Sequence, residues 1–585
     1  MNFLRNLLAA ILGTLIAFGI MFFMFLIFIS LANVEEGVVV KRNSVLELKI
    51  EDPVNDYTGS NESDPFAGLF EEAVGLDDIL HAIEVARDDE RIKGISITNQ
   101  FIAAGWSQVK AIRDALRDFR ESGKFVYAYA DLYMQKDYYL ASVADSVFLN
   151  PVGNLDFRGL SAEVLFFKKL QEKTGVKMEV IRHGKYKSAV EPFLQDTMSE
   201  ENRTQIRELL ESLWLSMLGD IAADRELDQE SLNAIADTLG GRNPAMALGS
   251  GLIDGVRYMD QYNQSIRNAL GLSEDRDIDR VELKDYMKDA RKKSIYKGSD
   301  RIAVIYAQGE ILYGEGGPNY IGQGLINKAL IRIREDEKIK AVVLRVNSPG
   351  GSALTSEVIW REVALTSQVK PVVVSMGDVA ASGGYYIAAG ADRILAEPTT
   401  ITGSIGVFGT IPNISELADD IGINAEQVET NRNSTEYSLF EPMSPEYRGV
   451  ITENIESVYQ TFLQRVAEGR NITLARADSL AQGRVWSGVE ALENGLVDQL
   501  GGLEDAIAEA AKLADISAYS IRRYPRYKSN FEMLMEDLSG SQEELREDLL
   551  RNELGEEAFR LYREIRSAAQ QKGVQARMPF SITIK

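Results

Sequence analysis

The segment GYYIAAGADRILAEP (residues 384–398) lies without a gap over DYYLASVADSVFLNP (137–151). Aligning Asp145 with Asp392 sets an offset of 247 residues, and the same offset carries Lys93 of IKGISITNQ onto Lys340 of IKAVVLRVN and Gly175 onto Gly422. A repeat of this kind marks a duplicated structural unit. Each copy reads in one order: an opening strand (VLELKI; RIAVIYAQ), an amphipathic helix, a buried strand (GISIT; AVVLRV), a helix, a strand (FVYAYA; PVVVSM), a helix that begins with two tyrosines, and a short strand (SVFL; RILA). Strands rich in Val, Ile and Tyr that alternate with helical segments predict an α/β fold of parallel β–α units with helices on the sheet faces. The repeats are expected over 43–298 and 299–515, with the charged linker KDARKKSIYKGSD (288–300) between them. A charged tail is expected over 516–585, where SQEELREDLLRNELGEEAFRLYREIR has the spacing of a solvated helix or a partner-binding one, the solvated reading being favoured.

The 585 residues are enough for several domains and large cores. A formal charge of −24 provides no basic face for phosphates, so no nucleic-acid partner is expected. The absence of cysteine excludes disulfides and thiolate nucleophiles. Leu7 to Ala32 carries no charge. At 1.5 Å per residue this stretch would reach about 39 Å as a helix, against a hydrocarbon core of roughly 30 Å. It predicts an uncleaved transmembrane anchor within residues 1–34, longer than a signal-peptide apolar region. Arg5 before it and Glu35 and Glu36 after it would leave the N-terminus in the cytoplasm and the rest outside.

Within GDVAASGGYYIAAGAD (377–392), Ser382 falls between a strand and the next helix, at the carboxyl end of the sheet where α/β folds bind ligands. Gly383 and Gly384 allow a sharp turn and a close approach of another backbone. Taken alone, the serine reads equally well as a helix N-cap. A second segment, VNSPGGSA (346–353), ends another strand of the same copy, so its Gly350-Gly351 opens on the same crevice and is able to aim main-chain N–H groups at a substrate carbonyl. By the 247-residue offset, Gly350, Gly351 and Ser382 fall on Ala103, Ala104 and Gln135. A turn or cap required by the fold would be needed twice, whereas these residues occur once.

A serine hydroxyl needs a base. The only histidines are His81, inside a helical stretch, and His183. A buried lysine, which desolvation holds neutral, is the other solution. In RHGKYKSAVEPF (182–193), Lys187 precedes an apolar run while Lys185 reads as exposed, and the offset places Ser434 opposite Lys187. Each copy therefore supplies one half of a candidate dyad. Either Thr402 or Ser404 of TGSIGV (402–407) is a candidate to orient the lysine.

The motifs YKSAVEPF, NSPGG, GDVAASGGYYIA and TGSIGV, in this order in a duplicated chain, resemble the long form of the signal peptide peptidase A family. The resemblance implies tandem domains of the Clp/crotonase type, β-β-α superhelices, behind an N-terminal transmembrane helix. It implies Ser382 as nucleophile, Lys187 as general base and the Gly351 and Gly383 N–H groups as oxyanion donors. It further implies a homotetramer on the bacterial inner membrane with its catalytic part on the periplasmic side, signal peptides and other apolar peptides as substrates, and no cofactor or metal. Two other readings of the same fold are an acyl-CoA enzyme, in which the glycine N–H pair would stabilise an enolate, and a non-catalytic membrane scaffold.

Overall fold

The computed structural model describes residues 39–59, 74–431, 434, 437–527 and 575–577, with residues 5–6, 11–14, 16–21 and 23–24. The first repeat runs β1 (Ser44–Leu48), α1 (Leu76–Asp88), β2 (Ile92–Ile97), α2 (Trp106–Glu121), β3 (Phe125–Tyr133), α3 (Gln135–Ala141) and β4 (Ser146–Leu155). Its sheet is parallel from β1 through β2 and β3 to β4. Beyond it come β5 (Lys177–Arg182) and the long helix α4 (Glu200–Arg225).

The second repeat follows the same path through β6 (Asp300–Gln308), β7 (Ile339–Ser348), β8 (Gly350–Ser352), α5 (Ala353–Ser367), β9 (Val372–Ala381), α6 (Gly383–Ala388) and β10 (Arg393–Ala396). The 247-residue offset carries the first residues of β2, α2, β3 and β4 onto the first residues of β7, α5, β9 and β10. Beyond these lie β11 (Ile401–Gly403), β12 (Phe408–Asn413), α7 (Pro445–Arg470), β13 (Tyr519–Tyr524) and β14 (Gln575–Arg577).

Burial explains the element types. Val372, Val373 and Val374 are all fully buried, as expected of a parallel strand covered on both faces. On α2, Val109, Ile112, Leu116 and Phe119 fall on one helical stripe and are fully buried against the first sheet.

Two features of the second repeat bear on the site. Its sheet takes in β13, which pairs in parallel with β6 and so extends the ordered unit into the segment expected as tail. A separate sheet crosses between the repeats, in the order β8, β14, β12, β5, so that a strand of the first repeat pairs antiparallel with one of the second.

The repeats are also joined by a buried polar seam. Arg345 on β7 donates from Nε to Asp56 Oδ2 at 2.9 Å, with both side chains almost wholly buried. It also donates to Ser375 Oγ and the Met376 carbonyl. The other Asp56 oxygen accepts from Gln108 on α2 at 2.9 Å. Asp378 of β9 in turn accepts the Ser107 and Gln108 backbone N–H groups at the start of α2. A helix start in one repeat thus rests on a carboxylate of the strand that ends at Ser382 in the other.

One expectation is corrected. Among the described residues no helix is long and apolar enough to cross a membrane. Of 7–32, residues 11–14, 16–21 and 23–24 are described as helical, and the rest of the stretch lies outside the described residues. The transmembrane helix in the expected fold class, the single-pass topology and the inner-membrane location drawn from it are overturned on this ground. The helix expected over 541–566 lies outside the described residues.

The seam makes a stability prediction. Asp56→Ala leaves the Arg345 guanidinium buried without its carboxylate, and removing one partner of such a pair typically costs about 3–5 kcal/mol. Urea unfolding should show a clearly lowered midpoint, and an unchanged midpoint would mean that the pair does not hold the seam.

Candidate active site

Ser382 sits where β9 ends and α6 begins, fully buried, with φ 56° and ψ −115°. A non-glycine residue in this region is strained, and sharp strand-to-helix turns of this kind present a side chain away from both elements. The flanking small residues follow from the crowding. A Cβ on Gly383 would lie 2.7 Å from Ser356 Oγ, and one on Gly384 2.7 Å from the Ser348 carbonyl oxygen. The Ser382 N–H is held by the Gly403 carbonyl at 2.8 Å. Its hydroxyl makes no capping bond to α6, so the N-cap reading does not account for the side chain.

The Gly350-Gly351 turn packs directly on this elbow. Its residues have φ values of +97° and +155°, which side-chain-bearing residues rarely adopt, and a Cβ on Gly350 would lie 2.7 Å from the Gly383 amide nitrogen. The turn therefore stands against the start of α6, and only glycine allows that approach.

Lys187 arrives from the first repeat. Strand β5 pairs antiparallel with β12, with Arg182 opposite Phe408, and the chain then turns through Gly184 to Lys187. The loop docks on the second repeat: the Tyr186 N–H donates to the Gln482 carbonyl at 2.9 Å, and a Cβ on Gly483 would lie 2.6 Å from the Lys187 backbone nitrogen. Behind it, Ser188 Oγ donates to Asn202 Oδ1, Asn202 donates to Glu191 Oε2, and Gln205 of α4 donates to Ser188 Oγ and the Tyr186 carbonyl. This buried network fixes the backbone on either side of the lysine.

The Lys187 Nζ lies 2.9 Å from Ser382 Oγ, 2.9 Å from the Ser404 carbonyl oxygen and 3.0 Å from Ser404 Oγ. The side chain is fully buried, and burial alone pushes its ammonium well below the ordinary lysine value. Among the described residues no carboxylate opposes this shift, which favours the neutral amine. Of the two candidates for orienting it, Ser404 is the one in contact. The Thr402 hydroxyl donates instead to the Ala380 carbonyl at 2.7 Å and buttresses β9.

Neither histidine approaches the serine. His81 Nε2 bonds to the Ala290 and Lys293 carbonyls, while His183 pairs through Nδ1 with Glu456 at 2.6 Å and stacks on Tyr459 of α7. Lys185 is exposed over the Tyr186 ring. In the opposite repeat the equivalent positions have other uses. Gln135 binds the 158–159 turn through its side-chain amide, and Ser434 is exposed and bonded to Thr430 and Asn431. Gly406, Ser188 and Glu191 lie within the motifs TGSIGV and YKSAVEPF, whereas their partners Gly483, Asn202 and Gln205 carried no signal in the sequence, because they are far away in the chain or ordinary residues in their own segments.

The model of peptidase family S49 matches residues 118–273 and 364–517, one stretch in each repeat. "Protease 4" of Salmonella typhi is 38% identical over 476 residues, covering 80% of this chain and 76% of that protein. "Protease 4" of Haemophilus influenzae is 37% identical over 448 residues, covering 75% and 73% respectively. The chloroplastic serine protease SPPA of Arabidopsis thaliana is 33% identical over 488 residues, covering 82% and 70%. With two family matches in one duplicated chain and relatives aligned over most of its length, the chain belongs to peptidase family S49 and is a serine peptidase.

Proposed function

We propose that this chain is an endopeptidase that cuts signal peptides and other apolar peptides by means of a Ser382–Lys187 dyad. The observation that carries the reading is the 2.9 Å contact between the hydroxyl of Ser382 and a fully buried lysine amine. In the proposed mechanism neutral Lys187 takes the Ser382 proton as Oγ attacks the scissile carbonyl. The N–H groups of Gly351 and Gly383 receive the developing oxyanion, where a single donor is worth about 3–4 kcal/mol. Lys187 then protonates the leaving amine, and water, deprotonated by the same amine, hydrolyses the ester. Ser404 holds the lysine at its working angle.

Two features favour peptide hydrolysis over the alternatives. Enolate stabilisation needs only the glycine N–H pair, so an acyl-CoA enzyme would have no use for a serine held against a neutralised lysine. An open groove of about 400 Å³, lined by Leu160, Ala162, Met198, Ile206 and Leu210 together with Arg203, Arg207 and Glu211, shares Leu160 with the apolar cluster around Ala381 and offers an apolar strip to an extended chain. The assembly proposed is a homotetramer, and sedimentation of the purified chain at monomer mass would refute it.

Ser382→Ala should abolish hydrolysis of an apolar peptide while the protein stays folded, with stability lowered by about the 0.5–1.5 kcal/mol of the one hydrogen bond to Lys187; retained turnover would end the proposal. Lys187→Arg should be equally inactive, because arginine cannot release its proton.

The pH dependence follows from the direction of the lysine shift. The active form is the neutral amine, so kcat/KM should rise with pH through an apparent pKa well below 10.5 and level off above it. A rate that falls over that rise, or one that tracks a free lysine, would contradict it. Ser404→Ala removes one hydrogen bond to the amine. It should lower kcat about tenfold or less with KM unchanged, the range that one bond of about 0.5–1.5 kcal/mol allows. A change confined to KM would show that Ser404 serves binding instead.

A further inference from the structure

A cavity of about 560 Å³ opens between the two repeats and shares no residue with the Ser382–Lys187 site. Its walls come from α1 and α2 of the first repeat and, in the second, from residues 397–398 after β10 and 500–505 around the start of the helix Leu503–Leu513. The lining is acidic: Glu84, Asp114, Asp118, Glu397, Glu504 and Asp505 stand against Arg87 and Lys110. Both cations are already engaged. Lys110 Nζ pairs with Asp114 at 2.7 Å, and Arg87 meets Asp88, outside the lining, at 3.2 Å and Glu84 only at 4.0 Å.

Glu397 is the decisive residue. It is only 4% exposed and lines the cavity, yet among the described residues no hydrogen bond or ion pair reaches its carboxylate. A Cβ on Gly502, in the same lining, would lie 2.6 Å from Glu397 Oε1, so the glycine leaves that oxygen its room at the cavity wall. Burial pushes the Glu397 carboxyl up to about 7, against Lys110 and Arg345 and with the help of Asp114 and Asp505. A buried carboxylate without a partner is costly, and a cation from outside would complete it. A second acidic pair lies in the same lining. Burial and the neighbouring Glu84 push the Glu504 carboxyl up, against the hydrogen bond it accepts from the Tyr296 hydroxyl, and burial pushes Glu84 up as well. Leu80, Ala111, Ala115, Leu500 and Leu503 supply aliphatic surface beside these groups. Among the described residues no three His, Asp or Glu side chains are grouped to hold a metal ion, so the arrangement suits an organic cation: methylenes for the aliphatic wall and ammonium groups for the carboxylates.

We infer that this cavity binds a linear aliphatic polyamine, with one ammonium on Glu397 and another on Glu84 and Glu504, and that the bound molecule ties the two repeats together. Neither repeat holds the site alone, because Glu84 stands on α1 whereas Glu397 and Glu504 belong to the second repeat. The place bears on the docking of the repeats. Two residues beyond Glu397, the Thr399 hydroxyl meets Ser107 Oγ of α2 at 3.0 Å, and the Ser107 N–H is the one that Asp378 accepts. A ligand that binds only the docked repeats stabilises the docking by mass action.

The experiment is isothermal titration of the purified full chain with spermidine, paired with thermal unfolding in its presence and absence. Wild-type protein should bind spermidine saturably and unfold at a higher temperature with it. Butylamine, which has a single ammonium, should bind about tenfold more weakly or worse, since it forgoes one charge-assisted contact. Glu397→Gln should stay folded, because it removes a buried charge that has no partner, and should lose spermidine affinity by about tenfold or more. Glu230→Gln, which removes an exposed carboxylate from a helix elsewhere in the first repeat, should bind as the wild type does. Absence of saturable binding to the wild type, undiminished binding by Glu397→Gln, or equal affinities for spermidine and butylamine would each overturn the inference. A rise in unfolding temperature that NaCl reproduces at equal ionic strength would overturn it too, assigning the effect to screening of the chain's net charge of −24.

Discussion

The contact on which the rest of the structure depends is a hydrogen bond between an amine and a hydroxyl, both fully buried, that come from opposite repeats. Burying a lysine is unfavourable unless it gives up its charge, and here nothing nearby restores that charge. A neutral amine has no long-range Coulomb attraction to steer it, so its position depends wholly on short-range packing. The structure meets that demand with glycine at Gly406 and Gly483, where any side chain would push against the lysine, and with the Ser188–Asn202–Gln205 network beneath it.

Duplication raises a problem of alignment. The site needs a serine at the end of one sheet and a lysine from a loop of the other repeat held to within a few tenths of an ångström, because displacement of a catalytic group by about 1 Å can cost 10²-fold in rate. Two connections span the repeats close to it. The Asp56–Arg345 pair and the Asp378 carboxylate bind segments of the first repeat to β7 and β9, the strands that end at the glycine turn and at Ser382. Antiparallel pairing of β5 with β12 carries the lysine loop to its place. The first connection is buried and both are directional, which is what a geometric constraint requires. Burial of Asp378 raises its pKa, a sign that the carboxylate is retained for its hydrogen bonds to α2 despite the loss of solvation.

The repeat was legible because strand and helix periodicity is local, and the offset of 247 residues lands on the first residues of four elements in the structure. Ser382 and the glycine turn were legible for a related reason: the two copies act as controls on each other, so residues the fold does not require stand out where the copies differ. Lys187 was legible by the same comparison, although its partner lies 195 positions away. The choice between Thr402 and Ser404 was not, because the two are only two positions apart, Thr402 in β11 and Ser404 just past its end, and the positive φ of 48° at Ser404 turns its hydroxyl toward the amine. The seam through Asp56 and Arg345 was equally hidden, since a buried ion pair leaves no periodic trace in either segment. The long apolar N-terminal stretch shows the opposite failure: composition satisfied the length rule for a span, whereas no helix among the described residues meets it.

Strand β14 is the residue pattern least open to prediction, because three residues are too few for periodicity and their partners are more than 160 positions away in the chain. Its place in the sheet nevertheless follows from the two strands beside it. β8 must stay free of side chains at Gly350 to approach Gly383 and at Gly351 to approach the Ile311 backbone, and a strand without side chains there can add almost nothing to a sheet by packing. Its pairing has to come from backbone hydrogen bonds, which any extended peptide supplies irrespective of sequence. The glycines thus also make the neighbouring edge a general acceptor of peptide strands, and β14 fills this edge with its Ala576 carbonyl against Gly350 and Gly383.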